Sequence, residues 1–194
     1  MTFDQLWAGW RSDYVNKVAG EIREKEYLKQ SLVDQKSQNL KESEHLEVNN
    51  PSSDHRCIFC AIASVGHPDK ESHLIHIDPN GMALLNAYPY GTGHMLIMPK
   101  RHVGDISELS EEEHANLWKM CRRAVEALRK TYDPDGFNMG ANLGRAAGAG
   151  IPEHLHFHVL PRWDGDTSFM TSIASTRVLP ESLDVTFEKI SSNW

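Results

Sequence analysis

The sequence predicts an α+β fold in which an antiparallel sheet of about five strands carries one long helix. Two features predict it. Short apolar or alternating runs lie on both sides of a single long amphipathic stretch, and 194 residues supply one substantial core but not two comfortable ones. Residues 1–15 place Leu6, Trp7, Trp10 and Tyr14 at helical spacing. They read as an N-terminal helical extension, an amphipathic anchor that packs on the core or on a partner subunit. Residues 16–55 are rich in Glu, Lys, Gln and Ser with sparse apolar positions, and read as a charged arm or insertion with no chemistry of its own. The main domain is expected over residues 56–170. Within it, "HLIHID" and "MALLNA" form a hairpin around "PNG", and "GHMLIMP" is a third strand, entered through Gly93 and stopped by Pro99. Ser110 and Glu113 then make a capping box, and Leu117, Met120, Cys121, Val125 and Leu128 follow on one helical stripe. Arg129 and Lys130 sit where cations suit the helix dipole. "GFNMGANLG" is a fourth strand, "RAAGAGIPE" a glycine-rich loop and "HLHFHVLPR" a fifth strand, with residues 171–194 left as a C-terminal extension.

Composition narrows the classes of function. A formal charge of −7 argues against nucleic acid or an anionic membrane surface as partner. An acidic chain can still hold phosphates through local amides and a few placed cations. No apolar run approaches the roughly 20 residues needed to span a bilayer. The start, "MTFDQLWAGWRSDYV", lacks the basic-then-apolar pattern of a secretion signal. Three cysteines, two of them as CxxC, do not make a disulfide framework, so a reducing, cytoplasmic setting is expected.

The chemistry-bearing residues cluster late in the chain. In "HLHFHVLPR", strand periodicity puts His154, His156 and His158 on one face and Leu155, Phe157 and Val159 on the other. A lone histidine on such a strand is most often structural. Three in phase are harder to dismiss, since each buried imidazole needs its own hydrogen-bond partner or a metal. "CIFC", Cys57 to Cys60, has the spacing of a zinc knuckle, although a redox pair or two buried thiols share that spacing. With no second CxxC, the remaining ligands of a zinc site would be histidines, His102 and His154 being the natural candidates. Cys121 lies on the apolar helix stripe and reads as core. In "NLGRAAGAG", Gly144, Gly148 and Gly150 allow amides to approach an anion, with Asn142 and Arg145 as added donors. Glycines at this density also suit a simple connector. Beside three histidines they read more strongly as a phosphate cradle.

Together "CIFC", "GHMLIMPKRH", "NLGRAAGAG" and "HLHFHVLPR", spanning roughly residues 57–165, resemble the histidine triad superfamily. "LNAYPYGTGHMLIMPKRH", "HLHFHVLPRWDGDTSF" and "LWAGWRSDYV" look most like its bacterial diadenosine tetraphosphate phosphorylase-type branch. The resemblance implies the histidine triad fold and a nucleotidyl-transferring enzyme. His156 would attack the α-phosphorus to give a covalent nucleotidyl-histidine, which water or inorganic phosphate then resolves. His158 would hold phosphate oxygens or the leaving group, and Asn142 would stabilise phosphoryl charge. A hydrogen bond from the other ring nitrogen of His156 to a carbonyl should fix its neutral tautomer. Substrate contacts would come from Asn86 at the ribose, from His94, Arg145 and Gly148, and from Gly150. Zinc-containing members place their ligands at Cys57, Cys60, His102 and His154, a closed structural site, and magnesium would travel with a polyphosphate substrate. A homo-oligomer, a dimer or larger, is also implied. One departure stands out: many hydrolase-type members carry Gln and then Ser or Thr where this chain has Gly150 and Ile151, which leaves room for phosphate as acceptor. Alternatives are a nucleoside phosphoramidase, a nucleotide-binding adaptor without turnover, and a module in which all three histidines hold one catalytic zinc.

Overall fold

The computed structural model describes residues 57–167, 173 and 179–194; the N-terminal anchor and the charged arm lie outside the described residues. A short helix α1 (Ile58–Ala63) leads to strands β1 (Leu74–Ile77), β2 (Gly81–Leu85) and β3 (Met95–Pro99). Helix α2 (Glu111–Tyr132), strands β4 (Gly136–Ala141) and β5 (Phe157–Arg162), and helix α3 (Leu183–Ser191) complete the order. Among the described residues all pairings are antiparallel and the sheet reads β1-β2-β3-β5-β4, so β5, the last of these strands in the chain, sits inside the sheet. The hairpin, the third strand and the long helix stand where the sequence places them, and the last two strands are there but shorter, the fourth ending at Ala141 and the fifth starting at Phe157. Helices α1 and α3 are additions that the sequence reading does not contain.

The middle of the sheet is buried on both faces. In β2 and β3, Ala83, Leu85, Met95 and Ile97 join one apolar cluster, while Met82, Leu84, Leu96 and Met98 join another. Because alternate residues point to opposite faces, the two clusters are the two sides of one sheet. The first is roofed by α2, through Leu117, Met120, Cys121, Ala124 and Leu128, and by Ile190 of α3. The second is closed by Cys57, Phe59 and Ala63 of the α1 region. Helices therefore lie on both faces: the long helix expected from the sequence on one, and the short α1 on the other. Continuous apolar runs in β2 and β3 are what two-sided burial requires.

Helix α2 starts as its capping box dictates. Ser110 Oγ accepts from Glu113 N at 3.2 Å, and Glu113 Oε2 accepts from Ser110 N at 2.9 Å. Arg101, beside the candidate ligand His102, donates to both Glu113 oxygens at 2.8 and 2.9 Å, tying the loop after β3 to the helix start. The Arg101 guanidinium holds the Glu113 carboxyl well below its ordinary value, at about 2. Gly93, which opens the third strand segment, has φ +74°, and a Cβ there would meet Leu128 at 2.9 Å and Pro161 at 3.1 Å. Only glycine gives the chain this turn and this close approach together.

Candidate active site and metal centre

The fifth strand begins at Phe157, so of the three histidines only His158 lies within its ladder; His154 and His156 occupy the extended segment just before it. The alternation nevertheless carries through. Leu155, Phe157 and Val159 enter the cluster under α2, while Phe59 of α1 lies against His154 and His156, with ring centroids 5.4 and 5.3 Å apart. Leu155 N donates to Val103 O, which anchors this segment beside the loop that carries His102.

Each imidazole has a partner that assigns its proton. His154 Nε2 lies 2.9 Å from Pro99 O, and a carbonyl can only accept, so Nε2 carries the hydrogen and Nδ1 the lone pair. That Nδ1 faces Cys57 Sγ at 3.4 Å and Cys60 Sγ at 3.6 Å, and Cys60 Sγ is 3.3 Å from His102 Nδ1. The four ligand atoms of Cys57, Cys60, His102 and His154 lie within 4.8 Å of one another. In a tetrahedral zinc site, sulfur and nitrogen ligands stand roughly 3.5 Å apart, given metal bonds of about 2.3 and 2.0 Å. Two thiols and two imidazoles at these spacings, with the His154 lone pair turned inward, fit a metal ion. Cys121 is buried among apolar groups, which push its thiol up to about 12, so it stays protonated and takes no part.

The middle histidine is turned the other way. His156 Nδ1 is 2.8 Å from His154 O, so it donates there and the lone pair resides on Nε2. His158 belongs to a third arrangement. Tyr90 N donates to His94 Nδ1 at 3.0 Å, which leaves His94 Nε2 to donate to His158 Nδ1 at 2.9 Å. The hydrogen of His158 is therefore on Nε2. Next to one another stand a nucleophilic nitrogen on His156 and a donor on His158, their rings 5.2 Å apart. Such a pair can attack an electrophilic centre and hold its oxygens without any proton first having to leave.

The remaining candidates divide. Asn86 Nδ2 lies 3.3 Å from His94 Nδ1 and its Oδ1 accepts from Tyr88 N at 3.0 Å, so Asn86 is joined to the His94–His158 pair. Asn142 donates to Gly148 O at 3.4 Å, closing the glycine loop on itself, and Gly148 adopts φ +90°. Gly150 is half-buried at the end of that loop, ahead of the histidines. Arg145 is exposed and pairs with Glu153 at 3.3 Å. Two contributors escaped the sequence reading. Tyr90 stacks on His158 at 5.5 Å and 21° as well as setting the His94 tautomer, and Phe59 buttresses two of the three histidines. Phe59 sits inside "CIFC" and Tyr90 four residues before His94, so both were visible as aromatics close to marked residues.

A family model described as the HIT domain matches residues 67–165, about half of the chain and all three histidines. The chain belongs to the HIT domain family. Among relatives of this HIT protein, an "AP-4-A phosphorylase" of Mycobacterium tuberculosis is 40% identical over 112 residues, 58% of this chain and 57% of the relative. This chain thus spans little more than half of that protein's length. An adenosine 5'-monophosphoramidase of Schizosaccharomyces pombe is 29% identical over 136 residues, covering 70% of this chain and 96% of the relative. In three dimensions, a zinc-bound histidine triad family protein of Mycobacterium smegmatis superposes with a TM-score of 0.59 at 30% identity, covering 73% of this chain and 94% of the other. The cysteine pair lies upstream of the matched HIT segment and reaches its ring of ligands only through the fold.

Proposed function

We propose that this HIT protein is a nucleotidyl-transferring enzyme that cleaves dinucleoside polyphosphates, diadenosine tetraphosphate first among them, with inorganic phosphate or water as acceptor. The observation that carries the reading is the 2.8 Å bond from His156 Nδ1 to the His154 carbonyl, which presents Nε2 as a neutral nucleophile. The likeness to the tuberculosis phosphorylase supports the substrate class. In the first step His156 Nε2 bonds to the α-phosphorus and the bond to the bridging oxygen breaks, releasing ATP from diadenosine tetraphosphate. In the second, an oxygen of phosphate or water bonds to the same phosphorus and the P–N bond breaks, giving ADP or AMP. His158, donating from Nε2, and Asn142 would hold the phosphoryl oxygens; Gly148 and Gly150 would line the approach of the chain, which Arg145 would join by exchanging Glu153 for phosphate; Asn86 would meet the ribose, and His94 would orient His158 beside it. Magnesium would accompany the polyphosphate.

Zinc suits the Cys57, Cys60, His102 and His154 set, and when bound it would cross-link α1, the loop after β3 and the histidine segment. Thiolate pairs of this kind persist in a reducing compartment, which favours the cytoplasm; among the described residues no helix is long and apolar enough to cross a membrane. The N-terminal anchor is read as part of a self-association surface, and deleting residues 1–50 should then lower the number of subunits found by light scattering, an unchanged and stable assembly refuting it.

Incubating the protein with diadenosine tetraphosphate, with and without phosphate, tests the main reading. ADP plus ATP formed only with phosphate means phosphorolysis; AMP plus ATP without it means hydrolysis. A phosphoramidase is the second reading, favoured by the near full-length coverage of the fission-yeast relative. It requires faster release of AMP from adenosine 5'-phosphoramidate than from any dinucleotide. No turnover of either substrate class would sink the enzyme reading.

A further inference from the structure

A cleft of about 420 Å³ lies away from the histidines, between the outer face of α2, the edge strand β1 and the C-terminal residues. Lys119, Arg122, Arg123 and Lys130 of α2 line it, opposite His76 and Trp194. Its two acids are already engaged. Asp78 accepts from the backbone of Asn80 and Gly81 at 2.8 Å and from Asn116, while Glu126 pairs with Arg122 at 3.8 Å. Lys119, Arg123 and Lys130 make no ion pair among the described residues, in a chain whose formal charge is −7. The four cations outnumber Asp78 and Glu126 in the cleft, which leaves it net positive and favours an anion there.

The opposite wall adds an independent sign. Trp194 Nε1 is buried and lacks a hydrogen-bond partner among the described residues, a donor in want of an acceptor. The Trp194 ring backs the Arg123 guanidinium at 4.9 Å and lies 5.5 Å from His76, which fixes the direction of that guanidinium. Burial, and then the charge of Arg123, hold His76 below its ordinary value, so the imidazole adds no second uncompensated charge at neutral pH. Lys119 to Lys130 spans roughly 16 Å of helix at 1.5 Å per residue. That length suits a row of linked phosphates better than a single one.

We propose that this cleft is a second anion site, separate from the histidine site, that takes a linear polyphosphate chain along Lys119, Arg123 and Lys130, beside the Trp194 indole that backs Arg123. The chain could be inorganic polyphosphate or the phosphate tail of a nucleotide, and the experiment separates the two. Full-length protein is labelled with nitrogen-15, and the Trp194 indole resonance is identified by its loss in Trp194→Phe. Inorganic tripolyphosphate, ATP, adenosine and sulfate at matched ionic strength are then titrated in.

The expected result is a saturable shift of the Trp194 indole with tripolyphosphate, ATP or both, and none with adenosine. Lys119→Glu with Arg123→Glu should weaken it at least tenfold and flatten the salt dependence. A response to tripolyphosphate alone identifies inorganic polyphosphate, and a response to ATP at lower concentration identifies a nucleotide. An unmoved Trp194 resonance, an equal response to sulfate, or unchanged affinity in the charge-reversed variant overturns the proposal. The remaining indole resonances report whether each variant is folded, and none of these residues belongs to the histidine site.

Discussion

At the scale of single residues, the three histidines are distinguished by where each keeps its hydrogen. His154 donates outward to Pro99 and turns a lone pair to the thiols; His156 donates back to the main chain and turns a lone pair away from it. Their substitutions should therefore separate two properties. His156→Ala should lower turnover of diadenosine tetraphosphate by about 10³-fold or more, while metal content measured by emission spectroscopy stays at the wild-type level. Joint loss of metal would instead favour one zinc shared by three histidines. Asn142→Ala should cost roughly 10²-fold in kcat, the usual loss for a donor to a charged oxygen, with KM changed little. A rise in KM alone would make Asn142 a loop-closing residue, in keeping with its bond to Gly148.

Elements place these residues, and two of their joints can be tested. Glu113 caps α2 and receives Arg101, and its carboxyl, ordinarily near 4.5, is held at about 2 in the fold. A depressed carboxyl contributes stability that is present above about 4.5 and lost as pH falls toward 2. Glu113→Gln should accordingly cost about 1 kcal/mol at neutral pH, with the gap in melting temperature to wild type closing between pH 4.5 and 2. A gap that stays constant across this window would rule out the ion pair as its source. Gly93→Ala should destabilise by about 1–3 kcal/mol in urea melts, because φ +74° and the contacts to Leu128 and Pro161 both oppose a side chain. The sequence made much of this legible. The capping box of α2, the β1–β2 hairpin and the alternation through the histidine segment depend on near neighbours, whose spacing is written in the chain. Helix α1 was hidden inside a motif read for its cysteines, and α3 in a tail read for nothing. Six and nine residues long, they are held largely by distant packing partners. The pairing of His94 with His158, 64 positions apart, depends on strand order and had no local signature.

For the whole molecule, the candidate metal site is a long-range fastener. Its ligands come from residues 57, 60, 102 and 154, and a bound ion would hold the ends of α1 and β3 to the start of the histidine segment. With free zinc a hundredfold above its dissociation constant, occupancy contributes about 2.7 kcal/mol. Chelation should then lower the melting temperature by roughly 5–11 °C. An identical melting curve after verified removal of metal would deny the site a structural role. The strand order carries a consequence for the life of the chain as it is made. Of the five described strands β5 is the last to emerge from synthesis, yet it lies between β3 and β4, and neither neighbour has its final pairing until it arrives. His154 and His156 precede that strand and His158 lies on it, so on the proposed reading the three are brought to the earlier residues of the site only when β5 joins the sheet. The alignment of the candidate histidines and the completion of the sheet are then one step.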